Sequence, residues 1–439
     1  MKPAGRLAAA IEILEAIDAT DRPADRVLDR YVRDRRYIGG GDRSAIAGRV
    51  WGVFRRRARL DWWIKKAGKG IGRDARGRVL ADLVLHDRQD VAGIAEMFDG
   101  SRHAPAILAK SESEALRRIV GGEFDSPDMP DAVRAECPPW LWPHMEARFG
   151  AEVGPAVAAL GQEAPFDLRV NPLAGMSREA VIAALAAEQV PAVPTALSPF
   201  GLRLDRRRPV DAMAPFKSGA IEVQDEGSQL AALLVGAGPG MLVVDYCAGA
   251  GGKALALAAG MENKGRLVLF DVSKGRLDRA AVRLRRAGIH NAERKVLAEG
   301  DKSVKRMAGK ADRVLVDAPC SGTGTWRRNP DAKWRYGEQD LAELTKTQRS
   351  ILERAASLVK PGGRVIYVTC SVLRAENEDV VEGFLADSDR FSVLPVAGVW
   401  AQSIGETGCP ATGPYLTLSP HREGTDGFFV AVLERAAQP

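Results

Sequence analysis

Leu242-Val243-Val244-Asp245-Tyr246-Cys247-Ala248-Gly249-Ala250-Gly251-Gly252-Lys253 is the stretch on which the fold turns. A short apolar run over 242–246 stops at a glycine-rich turn, and Lys253 leads into an alanine- and leucine-rich helix over 254–259. A strand that passes through glycines into a helix is the opening of a βαβ unit. Outward from it the same alternation continues. Apolar runs recur at 267–270, 295–298, 314–316, 365–368 and 428–433, with helical segments at 277–287, 340–359 and 377–385. This pattern predicts an α/β, Rossmann-like, doubly wound and mostly parallel sheet. Ligands of such sheets bind beyond the carboxyl ends of the strands, so the loops after the runs carry the candidate chemistry.

The remaining chain bounds what surrounds that sheet. At 439 residues it exceeds one ordinary domain. With 46% hydrophobic and 27% charged residues it has a globular composition, and its 45 glycines and 25 prolines show no period, which excludes collagen-like and low-complexity classes. No apolar stretch approaches the roughly 20 residues of a membrane span. Glu12, Glu15 and Asp18 interrupt any signal-like segment at the N-terminus, so a cytoplasmic protein with no membrane partner is expected. Cys137, Cys247, Cys320, Cys370 and Cys409 lie at least 39 residues apart, a spacing that excludes local zinc motifs and suggests no disulfide framework. No metal site is expected.

Charge is distributed unevenly. The net +6 contains +10 over residues 1–80 and −6 over residues 81–150, which makes the first segment a candidate footprint for phosphate. Leu7, Ala10, Ile11, Leu14 and Ile17 share a helical face, as do Ile46, Val50, Val53 and Phe54 after Gly39-Gly40-Gly41-Asp42, where Asp42 is placed to cap the helix. Interleaved with these are Arg49, Arg55, Arg56, Arg57, Arg59, Lys65, Lys66 and Lys69, with Trp51, Trp62 and Trp63. Such residues fit either a bundle with aromatics in its core and arginines in water, or a basic flank that holds a nucleic-acid backbone. The expected organisation is a helical domain over 1–125, a turn-rich linker, a small α+β module over 137–232, and the α/β domain over 233–439.

The glycine turn presents amides at a helix start, a device for nucleotide-like cofactors. It lacks the G-x-G-x-x-G spacing, and Ala254 stands where a phosphate loop needs Ser or Thr. Asp271 follows the second run, placed either to accept both hydroxyls of a ribose or to cap the helix after it. Asp301 ends the next strand-like stretch, within reach of an adenine edge. A ribose acid with a glycine turn and no phosphate loop fits S-adenosylmethionine.

Val316-Asp317-Ala318-Pro319-Cys320-Ser321-Gly322-Thr323-Gly324 follows the fourth run, and Tyr367-Val368-Thr369-Cys370-Ser371 the fifth. A lone cysteine is usually a small buried hydrophobe. Two cysteines, each just past a strand end, would face one crevice. Methyl transfer to carbon 5 of a pyrimidine calls for such a pair: that carbon is a poor nucleophile until a thiolate adds to carbon 6, and its proton must leave afterwards. Asp317 is placed to hydrogen-bond the cytosine edge, while Lys253, Arg374 and the helix expected near Glu376 are candidates to ease ionisation of a thiol.

These motifs, together with Arg328-Asn329-Pro330-Asp331-Ala332-Lys333-Trp334, Glu376-Asn377-Glu378, Leu168-Arg169-Val170-Asn171-Pro172 and Val223-Gln224-Asp225-Glu226, resemble the Sun/Fmu (NOP/Sun-type, RsmB-like) RNA cytosine-C5 methyltransferases over residues 137–434. The helical N-terminal part resembles the NusB-like RNA-binding domain of the bacterial 16S rRNA members. The resemblance implies a class I S-adenosylmethionine-dependent methyltransferase fold, 16S rRNA as partner rather than DNA, and a monomer. It further implies Cys370 as nucleophile and Cys320 as the residue that assists release of the product. Cys247, Ala248, Gly249, Ala250, Gly251, Gly252, Lys253, Asp271, Asp301 and Asp317 are implied around the cofactor, with Asp317 and Lys253 also beside the target base. Many members have Ala-Pro where this chain has Gly249-Ala250.

Three other readings use the same residues differently. A tRNA substrate would leave the chemistry unchanged. A DNA cytosine-C5 methyltransferase would make Cys320 the nucleophile and leave Thr369-Cys370-Ser371 without a purpose. An inert rRNA-binding assembly factor would not need both cysteines and Asp317, all of which are present.

Overall fold

The computed structural model describes residues 1–298, 302–405 and 408–437. The chain divides into two compact units, Met1–Gly161 with Arg328–Gly337, and Gln162–Arg327 with Glu338–Pro439. Among the described residues no helix is long and apolar enough to cross a membrane.

The first unit is built on the helices Pro3–Asp18, Ala24–Arg33, Gly40–Arg55, Arg57–Ala67 and Ala75–Leu85, with shorter helices after them. Both predicted apolar faces are buried, and Ile46 and Val50 are enclosed with Ile13, Leu60 and Leu80. The helix expected to begin on Asp42 starts earlier, at Gly40, with Gly39 as its cap residue. Asp42 instead accepts from the Met1 ammonium at 2.9 Å and from Arg6 Nε at 2.7 Å.

Most of the cations expected to form a nucleic-acid flank are paired inside this unit. Arg49 bridges Asp82 and Asp87, and Arg56 Nε reaches Asp82 at 2.7 Å. Arg59 reaches Glu136 at 2.8 Å and Asp125 at 2.5 Å, while Lys66 reaches Asp128 at 3.2 Å. Trp63 is buried, and Trp51 and Trp62 pack against the core. The acidic excess of residues 81–150 thus neutralises much of the basic excess before it.

The Arg328-to-Trp334 motif also belongs to this unit. Asp331 Oδ2 accepts from the Ala24 amide at 3.3 Å, Lys333 Nζ donates to the Glu136 carbonyl at 3.4 Å, and Trp334 Nε1 donates to the Phe54 carbonyl at 3.2 Å. Burial pushes the Lys333 ammonium down to about 8, against the attraction of Glu136 and Cys137.

In the second unit β1 (Phe166–Val170), β2 (Ala192–Pro194), β3 (Gly201–Leu204) and β4 (Ile221–Val223) form an antiparallel sheet in the order β2-β3-β1-β4. Next come β5 (Leu242–Asp245), β6 (Arg266–Asp271), β7 (Ala292–Val296), β8 (Ala311–Asp317), β9 (Val359–Thr369), β10 (Phe391–Leu394), β11 (Leu416–Leu418) and β12 (Phe428–Arg435). They form a larger sheet ordered β10-β12-β9-β8-β5-β6-β7, with β11 on β12. The five strands β7, β6, β5, β8 and β9 are parallel, and β12 runs antiparallel to β9 and β10. Successive residues alternate between two apolar layers: Val243, Leu267 and Leu315 pack on one face, Val244, Val268 and Val316 on the other. A parallel sheet covered on both faces explains why its strands read as unbroken apolar runs. From β5 the order proceeds to β6 on one side and to β8 on the other, so a crevice opens where Asp245 and Asp317 end their strands.

Asp82 is fully buried and accepts from two guanidinium groups. Asp82→Ala should therefore lower the urea stability of the helical unit by about 3 kcal/mol, because it strands the partly buried Arg56 and leaves Arg49 with Asp87 as its remaining carboxylate. A midpoint equal to that of wild type would show that water compensates them.

Candidate active site

The site begins where β5 ends. After Asp245 the chain turns through Gly249 at φ +55° and Gly251 at φ +81°, then enters the helix Gly252–Gly260. Both angles favour glycine. A Cβ on Gly251 would also come within 3.0 Å of the Ala280 side chain, whereas the space beside Gly249 is open. The Gly249 amide donates to Asp271 Oδ2 at 2.9 Å and the Ser273 amide to Asp271 Oδ1 at 2.7 Å, so Asp271 ties the glycine turn to the loop after β6. A cleft of about 1090 Å³ lies against this turn, its walls including Cys247, Ala250, Asp271, Val272 and Asp317.

Four ionisable residues meet behind the turn: Lys253, Asp245, Asp271 and Asp317. Lys253 Nζ donates to Asp317 Oδ2 at 2.7 Å. Burial opposes the Lys253 charge, but Asp317, with Cys370 and Asp245, outweighs it and holds the ammonium above its ordinary value. Asp245 is 1% exposed and neither of its oxygens has a well-formed hydrogen bond. Burial, then the charges of Asp317 and Asp271 against that of Lys253, pushes its acid from 3.8 up to about 8, with only weak support from the Cys247 amide. The Cys247 thiol is pushed up as well, by burial and then by the neighbouring carboxylates, which makes it a poor nucleophile.

The two remaining cysteines emerge from neighbouring strands. Cys320 lies past the end of β8 and Cys370 directly follows β9, and their sulfurs are 3.4 Å apart. Cys320 is held as a thiol, first by its hydrogen bond with Cys370, then by burial and by the charges of Cys370 and Glu376. Cys370 is one of the groups whose charge acts on the Lys253 ammonium, which makes Lys253 the cation beside this thiol. Arg374 plays no such part, because it is exposed and paired with Asp379 at 3.0 Å and Glu382 at 3.2 Å. All five cysteines are free.

The expected residues Cys247 to Lys253, Asp271, Asp317, Cys320 and Cys370 therefore surround the carboxyl ends of β5, β6, β8 and β9. Asp301 lies outside the described residues. Sequence reasoning gave no role to Asp245, although a carboxylate ending a strand before a glycine turn was a usable signal. It also passed over Arg276, Arg279, Lys305 and Arg354, which line the cleft but are distant in sequence.

Asp245 makes stability depend on pH. Between pH 3.8 and about 8 the folded acid keeps a proton that the unfolded chain has released. Its contribution is full below the lower value and lost as pH rises through the upper one. Asp245→Asn should flatten this dependence, so that wild type loses stability relative to the variant between pH 5 and 8, by up to about 1.4 kcal/mol per pH unit. Parallel urea midpoints across that range would mean that Asp245 is ionised.

Residues 233–434 match the family described as 16S rRNA methyltransferase RsmB/F, and residues 137–211 match the ferredoxin-like domain of RsmF/B-like methyltransferases. A relative named "Probable ribosomal RNA small subunit methyltransferase B" in Synechocystis sp. is 33% identical over 444 residues, covering 97% of this chain and 98% of its own. The ribosomal RNA small subunit methyltransferase B of Sodalis glossinidius is 33% identical over 349 residues, 79% of this chain and 72% of its own. The solved structure of PH0851 superposes with a TM-score of 0.81 at 27% identity, covering 99% of both chains. Likeness of this extent, carried by a chain whose sheet crevice holds the glycine turn and the thiol pair, means that the protein belongs to the 16S rRNA methyltransferase RsmB/F family and uses S-adenosylmethionine as its methyl donor.

Proposed function

We propose that the protein methylates carbon 5 of a cytidine in 16S rRNA through a covalent bond between Cys370 and carbon 6. The observation that carries this reading is the 3.4 Å separation of the Cys320 and Cys370 sulfurs beside the Lys253–Asp317 pair. The names of the two relatives, each a methyltransferase of small-subunit ribosomal RNA, support the choice of substrate.

The cleft fits the cofactor. Gly249 leaves open space, and Asp245 offers a buried acid without a well-formed partner. The turn Cys247 to Lys253, with Asp271 and Asp317, would hold S-adenosylmethionine, and Asp301 is carried from the sequence into the same set. When bound, this cofactor supplies an electrophilic methyl group. Cys370 attacks carbon 6 of a cytosine splayed out of its stack, forming the S–C bond and moving an electron pair to carbon 5, which takes the methyl. Asp317 and Lys253 hydrogen-bond the base edge and stabilise the adduct. Once the Cys370 sulfur is bonded to carbon 6, Cys320 gives its own proton to solvent and, as thiolate, takes the C5 proton; the electron pair of that C–H bond restores the ring double bond, and the S–C6 bond breaks to return the Cys370 thiolate. The thiol held at Cys320 supports this division of roles over one in which Cys320 attacks.

RNA backbone is held by the helical domain over 1–125 and the module over 137–232. Since Arg49, Arg56 and Arg59 are paired internally, the cations assigned to phosphate are Arg26, Arg30 and Arg33, which share an exposed face of the helix Ala24–Arg33. Arg26 and Arg30 form ion pairs with Asp25 at 3.8 Å and Asp34 at 3.7 Å, both solvent-exposed and therefore weak.

Mass spectrometry of protein incubated with S-adenosylmethionine and 16S rRNA fragments tests the chemistry. Cys320→Ala should accumulate a covalent protein–RNA adduct and Cys370→Ala none; an adduct that requires Cys320 would overturn the assignment of the nucleophile. Replacing Arg26, Arg30 and Arg33 together by Gln should weaken RNA binding and reduce the slope of log K against log salt by about 2. An unchanged slope would place the phosphate contacts elsewhere.

A further inference from the structure

Glu376 is fully buried, and four donors converge on its carboxylate. Oε1 accepts from the Ser321 amide at 2.7 Å and from Gln348 Nε2 at 2.9 Å. Oε2 accepts from Ser321 Oγ at 2.5 Å and from Ser371 Oγ. Ser321 follows Cys320 in the chain, and Ser371 follows Cys370. Gln348, on the helix Glu338–Ala356, also donates to the Pro319 carbonyl at 2.9 Å, so the residues on both sides of Cys320 are tied to one carboxylate. On the β9 side, Ser371 Oγ lies 3.0 Å from Thr323 Oγ1, which accepts from the Val372 amide at 2.9 Å, and Asn377 Nδ2 donates to the Ser371 carbonyl at 2.9 Å.

We infer that Glu376 is a positioning residue that fixes the separation of the Cys320 and Cys370 sulfurs, and thereby sets how fast the C5 proton is lost after methyl transfer. The second half of this inference rests on the proposed function; the first half is geometric. Only an acceptor on both oxygens suits the four donors. A glutamine of the same volume can satisfy the Ser321 amide and Gln348, but its NH₂ then faces Ser321 Oγ and Ser371 Oγ, whose hydroxyls must reverse. Ser371 Oγ also accepts from the Leu373 amide at 3.1 Å, so after a reversal both of its lone pairs are taken and its proton turns from Glu376 toward Thr323 Oγ1, 3.0 Å away. Glu376 touches no reacting atom, and its effect runs through the two serines.

The test compares wild type, Glu376→Gln, and the double variant Ser321→Ala with Ser371→Ala, which keeps the carboxylate and removes its two hydroxyl partners. Three quantities are read in the full-length protein: the dissociation constant for S-adenosylmethionine by calorimetry, kcat and KM on a 16S rRNA fragment, and the rate at which diamide closes a Cys320–Cys370 disulfide, followed by intact mass. In that closure the two thiols lose two hydrogens to the diazene, which becomes the hydrazine, so the rate reports sulfur proximity independently of catalysis. Both variants should bind the cofactor as wild type does, close the disulfide more slowly, and lose about 100-fold in kcat with little change in KM. Covalent RNA adduct should accumulate during turnover, because release is slowed more than attack. Closure and kcat at wild-type values in both variants would overturn the inference. A wild-type protein that forms no Cys370 adduct, while the variants still close the disulfide slowly, would instead overturn the proposed function and leave the positioning role standing. If Glu376→Gln does not fold, the serine variant alone decides, by the same readings.

Discussion

The pairing of β8 with β9 is the constraint on which the site depends. Asp317 lies opposite Val368, so the two chains leave the sheet side by side and their cysteines meet at 3.4 Å. A slip of one residue would turn every side chain of a strand to the other face. Both faces are apolar, Val314, Val316, Val365 and Tyr367 in one layer and Leu315, Ile366 and Val368 in the other, so the slip is opposed by the close fit of differently shaped side chains in each layer. Packing that specifies the core therefore also specifies the distance between two sulfurs outside it.

The charges behind the glycine turn follow from the same crowding. Asp245, Asp271 and Asp317 end three adjacent strands, and Lys253 is the cation at hydrogen-bond distance from one of them. Each carboxylate is accommodated in its own way. Asp271 accepts two backbone amides, Asp317 takes the ammonium, and Asp245, left with neither, retains its proton.

Much of this was legible in the sequence because parallel strands buried on both faces read as apolar runs. The first, second, fourth and fifth runs mark β5, β6, β8 and β9, with the glycine turn and both cysteines in the loops beyond them. The run expected at 295–298 is displaced, because β7, at the edge, is Ala292–Val296 and carries Glu293, Arg294 and Lys295 on a partly exposed strand. The strands β10 and β11 were passed over, and the helix expected over 340–359 ends at Ala356 because Val359 already belongs to β9. Charge was harder to read. Arg49, Arg56 and Arg59 look like a phosphate-binding flank until the partners supplied by Asp82, Asp87, Asp125 and Glu136 are in place, and no local pattern announces such distant pairing. Glu376 was visible within a motif, but its role depends on Ser321 and Gln348, which the fold alone brings to it.

The Arg328-to-Trp334 motif shows how a sequence signature can carry structure rather than chemistry. The chain leaves the second unit after Arg327, contributes Arg328–Gly337 to the helical unit, and returns at Glu338. Within the helical unit the segment meets needs that residues 1–161 leave open. The Ala24 amide at a buried helix start finds Asp331, the Phe54 carbonyl at a helix end finds Trp334, and the Glu136 carbonyl finds Lys333. Buried backbone groups without partners cost about 1 to 3 kcal/mol each, so a chain ending at residue 161 would carry several such penalties together with a gap where Trp334 packs on the core. The helical unit is therefore not a separable appendage. Its last pieces are delivered by the connection that follows the Cys320 loop.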